Sequence, residues 1–219
     1  MKLSSSTIEV LKNFSTINQS IIFKPGYVQR TISPHKNIFA EATLKEEFPV
    51  ECAIYELPKF LAVLTLFDTP DLKFGEQYVD IVSSNSSNHI KYFYANPSLI
   101  VAPPPTALEI EEEVDKFRLD QETLGKLNKA SLIMGNPDFV IERNGKVRTI
   151  KTTNIKNKSA NVFTVTQDVS KGASYSVTLN SENLKYIPND YEFIVGKIKG
   201  TSIVTLSSDT VKYWIATEA

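Results

Sequence analysis

The sequence is poor in the residues that build redox, metal and nucleotide sites. One cysteine, Cys52, stands among 219 residues. No disulfide can therefore close within the chain, which suits a reducing compartment. Cys52 falls in the apolar stretch Val50-Glu51-Cys52-Ala53-Ile54 and reads as a small buried hydrophobe. The two histidines, His35 and His89, are far apart, and no His/Cys set has zinc-ligand spacing, so no metal is expected. With eight glycines there is no glycine-rich phosphate loop; Asn144-Gly145-Lys146 lacks the preceding glycine and marks a hairpin instead. Ser33-Pro34-His35-Lys36 has the spacing of a Ser-x-x-Lys motif but sits in a turn between strands. No enzymatic activity and no cofactor are expected. The opening Met1-Lys2-Leu3-Ser4-Ser5-Ser6 carries no apolar run of signal-peptide length. No stretch approaches the about 18 apolar residues of a membrane span. A soluble, intracellular protein without a membrane partner is expected.

What the chain does contain is a repeat. Leu3-Ser4-Ser5-Ser6-Thr7-Ile8-Glu9-Val10-Leu11 aligns with Leu119-Asp120-Gln121-Glu122-Thr123-Leu124-Gly125-Lys126-Leu127, and both align with Leu179-Asn180-Ser181-Glu182-Asn183-Leu184-Lys185-Tyr186-Ile187. In each, an apolar residue that ends a short strand precedes a Ser, Asp or Asn able to cap a helix. Apolar residues five and eight positions on then share one helix face. A fourth, less regular copy is Tyr55-Glu56-Leu57-Pro58-Lys59-Phe60-Leu61-Ala62-Val63, which keeps the spacing but lacks a good cap. Its Pro58 falls in the first helical turn, where proline is tolerated.

β-type segments follow each copy. They are Ile21 to Phe23, Val28 to Ile32, Gln77 to Val82, His89 to Ala95, Phe139 to Arg143, Lys146 to Ile150, Asn161 to Thr166, Tyr191 to Val195, Ile203 to Leu206 and Val211 to Ile215. Asn144-Gly145 is a strong two-residue hairpin signal. Between the halves, Asn96-Pro97-Ser98-Leu99-Ile100-Val101-Ala102-Pro103-Pro104-Pro105-Thr106 reads as a stiff extended connector. The pattern predicts an α+β chain of two similar domains, 1–106 with the connector and 107–219, each with two strand–helix units and antiparallel sheets.

The net charge of −1 argues against nucleic acid only until it is divided. Residues 1–106 carry nine basic and ten acidic groups. Residues 107–115 carry five acidic groups, Glu109, Glu111, Glu112, Glu113 and Asp115, and none basic. Residues 116–219 carry fifteen basic and ten acidic groups. An acidic, solvated connector and a basic second half are expected.

Particular residues resemble one family. Met1-Lys2-Leu3-Ser4, Thr7-Ile8, Leu11-Lys12-Asn13-Phe14, Thr16-Ile17-Asn18 and Phe23-Lys24-Pro25-Gly26 resemble the start of the sliding clamps of T-even-like bacteriophages, DNA polymerase processivity factors related to PCNA and the bacterial beta clamp. Ala53-Ile54-Tyr55-Glu56-Leu57 with Phe60-Leu61 resembles that family's second strand–helix unit, and Tyr175-Ser176-Val177-Thr178-Leu179 its fourth. The loop Ser83-Ser84-Asn85-Ser86-Ser87-Asn88 differs, and the chain stops at Ala216-Thr217-Glu218-Ala219 where some members continue.

The resemblance implies the DNA clamp fold closed into a homotrimeric ring, with helices lining a hole for duplex DNA and sheets outside. Lys12, Lys59, Lys126, Lys129 and Lys185 would then face phosphates without reading sequence. It implies pairing of the strand holding Tyr92, Phe93 and Tyr94 with a strand near Val162 and Phe163 of the next subunit. It also implies a pocket for partner peptides at Leu99, Ile100, Val101, Trp214 and Ile215. The partners would be the replicative DNA polymerase, an ATP-dependent clamp loader and phage late-transcription factors, in the host cytoplasm. The alternative reading of the same repeat is a non-enzymatic interaction module on an α+β scaffold with no DNA in its middle.

Overall fold

The protein is described by a computed structural model covering residues 1–83 and 88–218, so the centre of the expected loop at 83–88 lies outside the described residues. Two compact units divide the chain. One comprises Met1–Ala107 with Thr210–Lys212, the other Leu108–Asp209 with Tyr213–Ala219.

In the first unit the helix α1 (Ser5–Ile17) begins where the capping pattern places it. The Ser4 hydroxyl accepts from the Thr7 N–H at 3.3 Å. Val10, Leu11, Phe14 and Ile17 fall on one face and are buried. Burial of each such side chain stabilises the unit by about 1.5–3 kcal/mol. Leu3, expected to end a strand, instead lies in irregular chain, where Met1 C=O accepts from the Leu72 N–H at 2.8 Å.

Four strands follow: β1 (Ile21–Phe23), β2 (Gly26–Ile32), β3 (Ile38–Phe48) and β4 (Cys52–Ile54). They pair antiparallel as β1 with β4 and β2 with β3. Gly26 has φ 105°, a conformation that a side chain would strain. Phe23 stacks on Phe48 with ring centroids 4.4 Å apart. Cys52 is buried, and burial, helped by Glu51, pushes its thiol up to about 12, so it is inert packing. Helix α2 (Leu57–Leu64) has Pro58 in its first turn and no side-chain cap from Glu56. Its Leu57, Phe60, Leu61 and Leu64 complete the core. The strands β5 (Asp71–Phe74), β6 (Tyr78–Val82) and β7 (His89–Phe93) then form an antiparallel sheet in that order.

The second unit opens with β8 (Glu112–Leu119) and α3 (Gln121–Met134). Asp120 caps α3, its carboxylate accepting from the Thr123 N–H at 2.7 Å, and Gly135 ends it at φ 64°. Then come β9 (Asp138–Asn144), β10 (Val147–Thr153), β11 (Phe163–Asp168), β12 (Tyr175–Asn180), β13 (Tyr191–Ile198), β14 (Thr201–Ser207) and β15 (Val211–Ala216). One sheet runs β11-β10-β9-β12, with a hairpin joining β9 to β10 whose turn is Gly145-Lys146, one residue later than the Asn144-Gly145 turn expected. In the other, β8, β13, β14 and β15 are successive neighbours.

Two expectations are corrected here. The fourth copy forms no α-helix, only a 3-10 turn at Ser181–Asn183. Its cap works, since the Asn180 side chain accepts from the Glu182 N–H at 2.9 Å. The run ends where Leu184 leaves the helical region at φ −81° and ψ 61°, and Pro188 disfavours helical backbone at Ile187 beyond it. Lys185 therefore stands in irregular chain, half-buried, rather than on a helix face. The acidic connector is also shorter than expected. Glu112, Glu113 and Asp115 belong to β8, Glu112 pairs with Lys197 at 3.0 Å, and Asp115 is buried.

Candidate nucleic-acid interface

Helical geometry determines which side chains face away from each core. At about 100° per residue, the stripe opposite the core of α1 is Ser5, Glu9, Lys12 and Thr16, and all four are exposed. On α2 it is Lys59 and Ala62, followed by Leu66 just beyond the helix, again all exposed. On α3 it is Glu122, Lys126, Lys129 and Ile133. Four of the five lysines picked from the sequence thus occupy outward helix stripes, while Lys185 does not share that setting.

Their electrostatic surroundings differ. Lys59 Nζ lies 3.2 Å from Glu56 Oε2, and Lys126 Nζ lies 2.5 Å from Glu122 Oε1. The hydrogen bond and charge of Glu122 raise the Lys126 ammonium above its ordinary value. Lys12 and Lys129 make no ion pair among the described residues. On the flank of α3, an open groove is lined by Gln121, Glu122, Gly125, Lys126, Lys129 and Pro188. Its Pro188 comes from the chain just past the shortened fourth copy.

The candidate edge residues lie on or just beside two different strands. The strand β7 hydrogen-bonds to β6 and has no second partner among the described residues. Phe93 is 64% exposed there. Tyr92 packs edge-on against Phe60 at 5.1 Å, and its hydroxyl donates to Glu56 C=O at 3.3 Å. Tyr94 turns inward, and burial pushes its phenol well above the ordinary range. In the other unit β11 is likewise an edge, partnered by β10 alone among the described residues. It starts two residues later than the pattern suggested, so exposed Val162 precedes the strand and half-buried Phe163 opens it.

The five residues assigned to a peptide pocket separate by burial. Leu99, in a 3-10 turn capped by Asn96, and Val101 are exposed. Ile100 anchors the segment between them, packing with Ile22, Ala53 and Ala95. Trp214 and Ile215 are buried, and the Trp214 indole N–H donates to Leu108 C=O at 2.9 Å. They serve as core of the second unit, leaving Leu99 and Val101 as the accessible pair.

A buried charge cluster escaped the sequence reading. Asp115 accepts from Arg148 Nε and Nη2, both at 2.8 Å, from Arg143 Nη1 at 3.1 Å and from the Tyr175 hydroxyl at 2.7 Å. Arg148 also stacks over Phe117 at 4.2 Å and donates to Gln167 Oε1 at 3.0 Å. Burial pushes the Asp115 carboxyl up, but the Arg148 and Tyr175 hydrogen bonds and the Arg148 charge outweigh it and hold it below the ordinary range. The cluster ties β8 to β9, β10, β11 and β12, and so joins the two sheets of its unit. Arg143 and Arg148 are opposed cross-strand partners because the turn lies at Gly145-Lys146, a register the expected Asn144-Gly145 turn does not give. Facing like charges are unfavourable without a shared anion.

Comparison with known proteins places this geometry. Residues 2–102 match the DNA polymerase processivity factor family. The chain is 31% identical to the sliding clamp of Vibrio phage KVP40 over the full length of both. It is 25% identical to the sliding clamp of Enterobacteria phage T4, over all of this chain and 97% of that one. Proliferating cellular nuclear antigen from Entamoeba histolytica superposes with a TM-score of 0.69 at 12% identity, covering all of this chain and 98% of the other, which shows a shared fold. No described helix is long and apolar enough to cross a membrane. With its capped, outward-facing helix stripes and a full-length likeness to phage clamps, the chain belongs to the sliding-clamp family of DNA polymerase processivity factors.

Proposed function

We propose that copies of this chain join head to tail into a homotrimeric ring, with β7 of one subunit adding to the free edge of β11 in the next. The single observation that carries this is that β7 and β11, one in each unit, are terminal strands of their sheets, short and flanked by exposed apolar side chains. An unpaired edge is a template for another strand. Closure would cover Phe93 and Val162, with Tyr92, Tyr94 and Phe163 supporting the pairing. Duplex DNA passes through the ring, met by Lys12, Lys59, Lys126 and Lys129 from the helix stripes and by Lys185 beside them. Such contacts go to phosphates and carry no sequence information, as a sliding protein requires.

The replicative polymerase and an ATP-dependent loader dock by short apolar segments at Leu99 and Val101, with Ile100, Trp214 and Ile215 as the rigid backing of their own units. Phage late-transcription factors would use the same surface. The ring works in the host cytoplasm, where replication occurs, and supplies topology rather than catalysis. Size-exclusion chromatography with light scattering tests closure: a trimer supports the ring, and a stable monomer at micromolar concentration favours the interaction-module alternative. Retention on circular DNA with loss from linear ends, after loading with ATP, tests encirclement.

A further inference from the structure

The four copies share a second regularity beside their apolar spacing. Each places a glutamate three or four residues ahead of its lysine: Glu9 before Lys12, Glu56 before Lys59, Glu122 before Lys126, and Glu182 before Lys185. Residues at those separations are neighbours on a helix surface. The Glu56–Lys59 and Glu122–Lys126 pairs are closed ion pairs. Glu9 lies with Lys12 on the outward stripe of α1. In the fourth copy acid and base persist although the helix does not form. Lys129 alone departs from the rule. Its neighbours one turn away are Gly125, Lys126, Leu132 and Ile133, with no acid among them.

We infer that the DNA track is charge-compensated: a glutamate three or four residues away offsets four of its five lysines, two of them through closed ion pairs, and Lys129 supplies the net attraction for phosphate. This rests on the reading that duplex DNA runs past these helix faces. A lysine that neutralises a phosphate releases a condensed counterion and adds about 0.9 to the slope of log affinity against log salt. A lysine already facing a carboxylate contributes less, because its partner repels the same phosphate within a Debye length of about 10 Å. Five uncompensated lysines per subunit would hold DNA tightly and in a salt-dependent manner. One net charge per subunit leaves retention to ring topology and lets the duplex move.

Part of the basic excess of the second unit is committed elsewhere. Lys116, Lys151 and Lys197 are each paired with a glutamate on strands, and Arg143 and Arg148 are committed to Asp115.

The test compares the wild-type trimer with a Glu9→Gln, Glu56→Gln, Glu122→Gln, Glu182→Gln variant and with a Glu9→Gln, Glu122→Gln variant, which leaves the weakly capped α2 untouched. Glutamine keeps the shape and helix preference of glutamate. Affinity for a short linear duplex is measured without loader across a salt series, and loader-dependent retention on nicked circular DNA is measured beside it. The fourfold variant should bind the linear duplex about tenfold or more tightly at low salt and show a steeper salt slope. The double variant should fall between, and Lys129→Gln should flatten the slope below wild type. Unchanged slopes in variants that still load and stay on circles would overturn the inference while leaving the ring intact. Failure of the wild type to be retained on circles would instead overturn encirclement, and the inference with it.

Discussion

Asp115 shows how one residue can hold a unit together through geometry that is invisible in its neighbours. Its carboxylate receives two hydrogen bonds from Arg148, one from Arg143 and one from Tyr175, in a setting where it is 6% exposed. Removing one charge from a buried pair leaves the other without compensation, which is the costly case. Asp115→Asn should therefore lower unfolding stability by about 3 kcal/mol, read from urea denaturation; a loss close to zero would show that the arginines find water instead. The same carboxyl sets an acid response. Its folded pKa is depressed, so its contribution is complete above the unfolded aspartate value of about 4 and disappears as pH falls through the folded value. Wild type should thus lose stability more steeply below about pH 4 than Asp115→Asn does, and parallel acid profiles would contradict the assignment.

Elements were legible in proportion to how local their causes are. The starts of α1 and α3 follow from Ser4 and Asp120, each accepting from a backbone N–H three residues on. The hairpin, though one residue out in register, follows from Gly145 at φ 63° in the first position of its turn. Asp120→Ala should accordingly cost about 1 kcal/mol, measurable as a lower urea midpoint, whereas Glu56→Ala should cost less because no side-chain cap is lost there. The fourth copy looked helical because spacing and cap were both present, but the backbone leaves the helical region at Leu184, and Pro188 leaves too short a stretch for helical turns to accumulate. The strand β8 was hidden for the opposite reason. Its glutamates read as a solvated connector, and only Lys197 and the two arginines, at least 28 residues away, give those charges partners. Edge strands were recognisable as strands, but edge status depends on which neighbours are missing, which no local pattern reports.

At the scale of the whole molecule, the size of the edges argues about how firmly the proposed ring closes. The strand β7 has five residues and β11 has six, so one strand pairing per junction offers few backbone hydrogen bonds. The exposed apolar content beside them is dominated by one aromatic, Phe93, with Val162 opposite it in the proposed pairing. Interfaces of this kind concentrate their free energy in the aromatic anchor. The ring should therefore come apart on dilution, and Phe93→Glu should weaken each junction by about 2 kcal/mol, or about thirtyfold in dissociation constant. Light scattering over a dilution series would show the variant monomeric where wild type remains assembled, with its far-ultraviolet circular dichroism unchanged. If Phe93→Glu dissociates over the same concentration range as wild type, the junction lies elsewhere, and the pairing of β7 with β11 fails along with it.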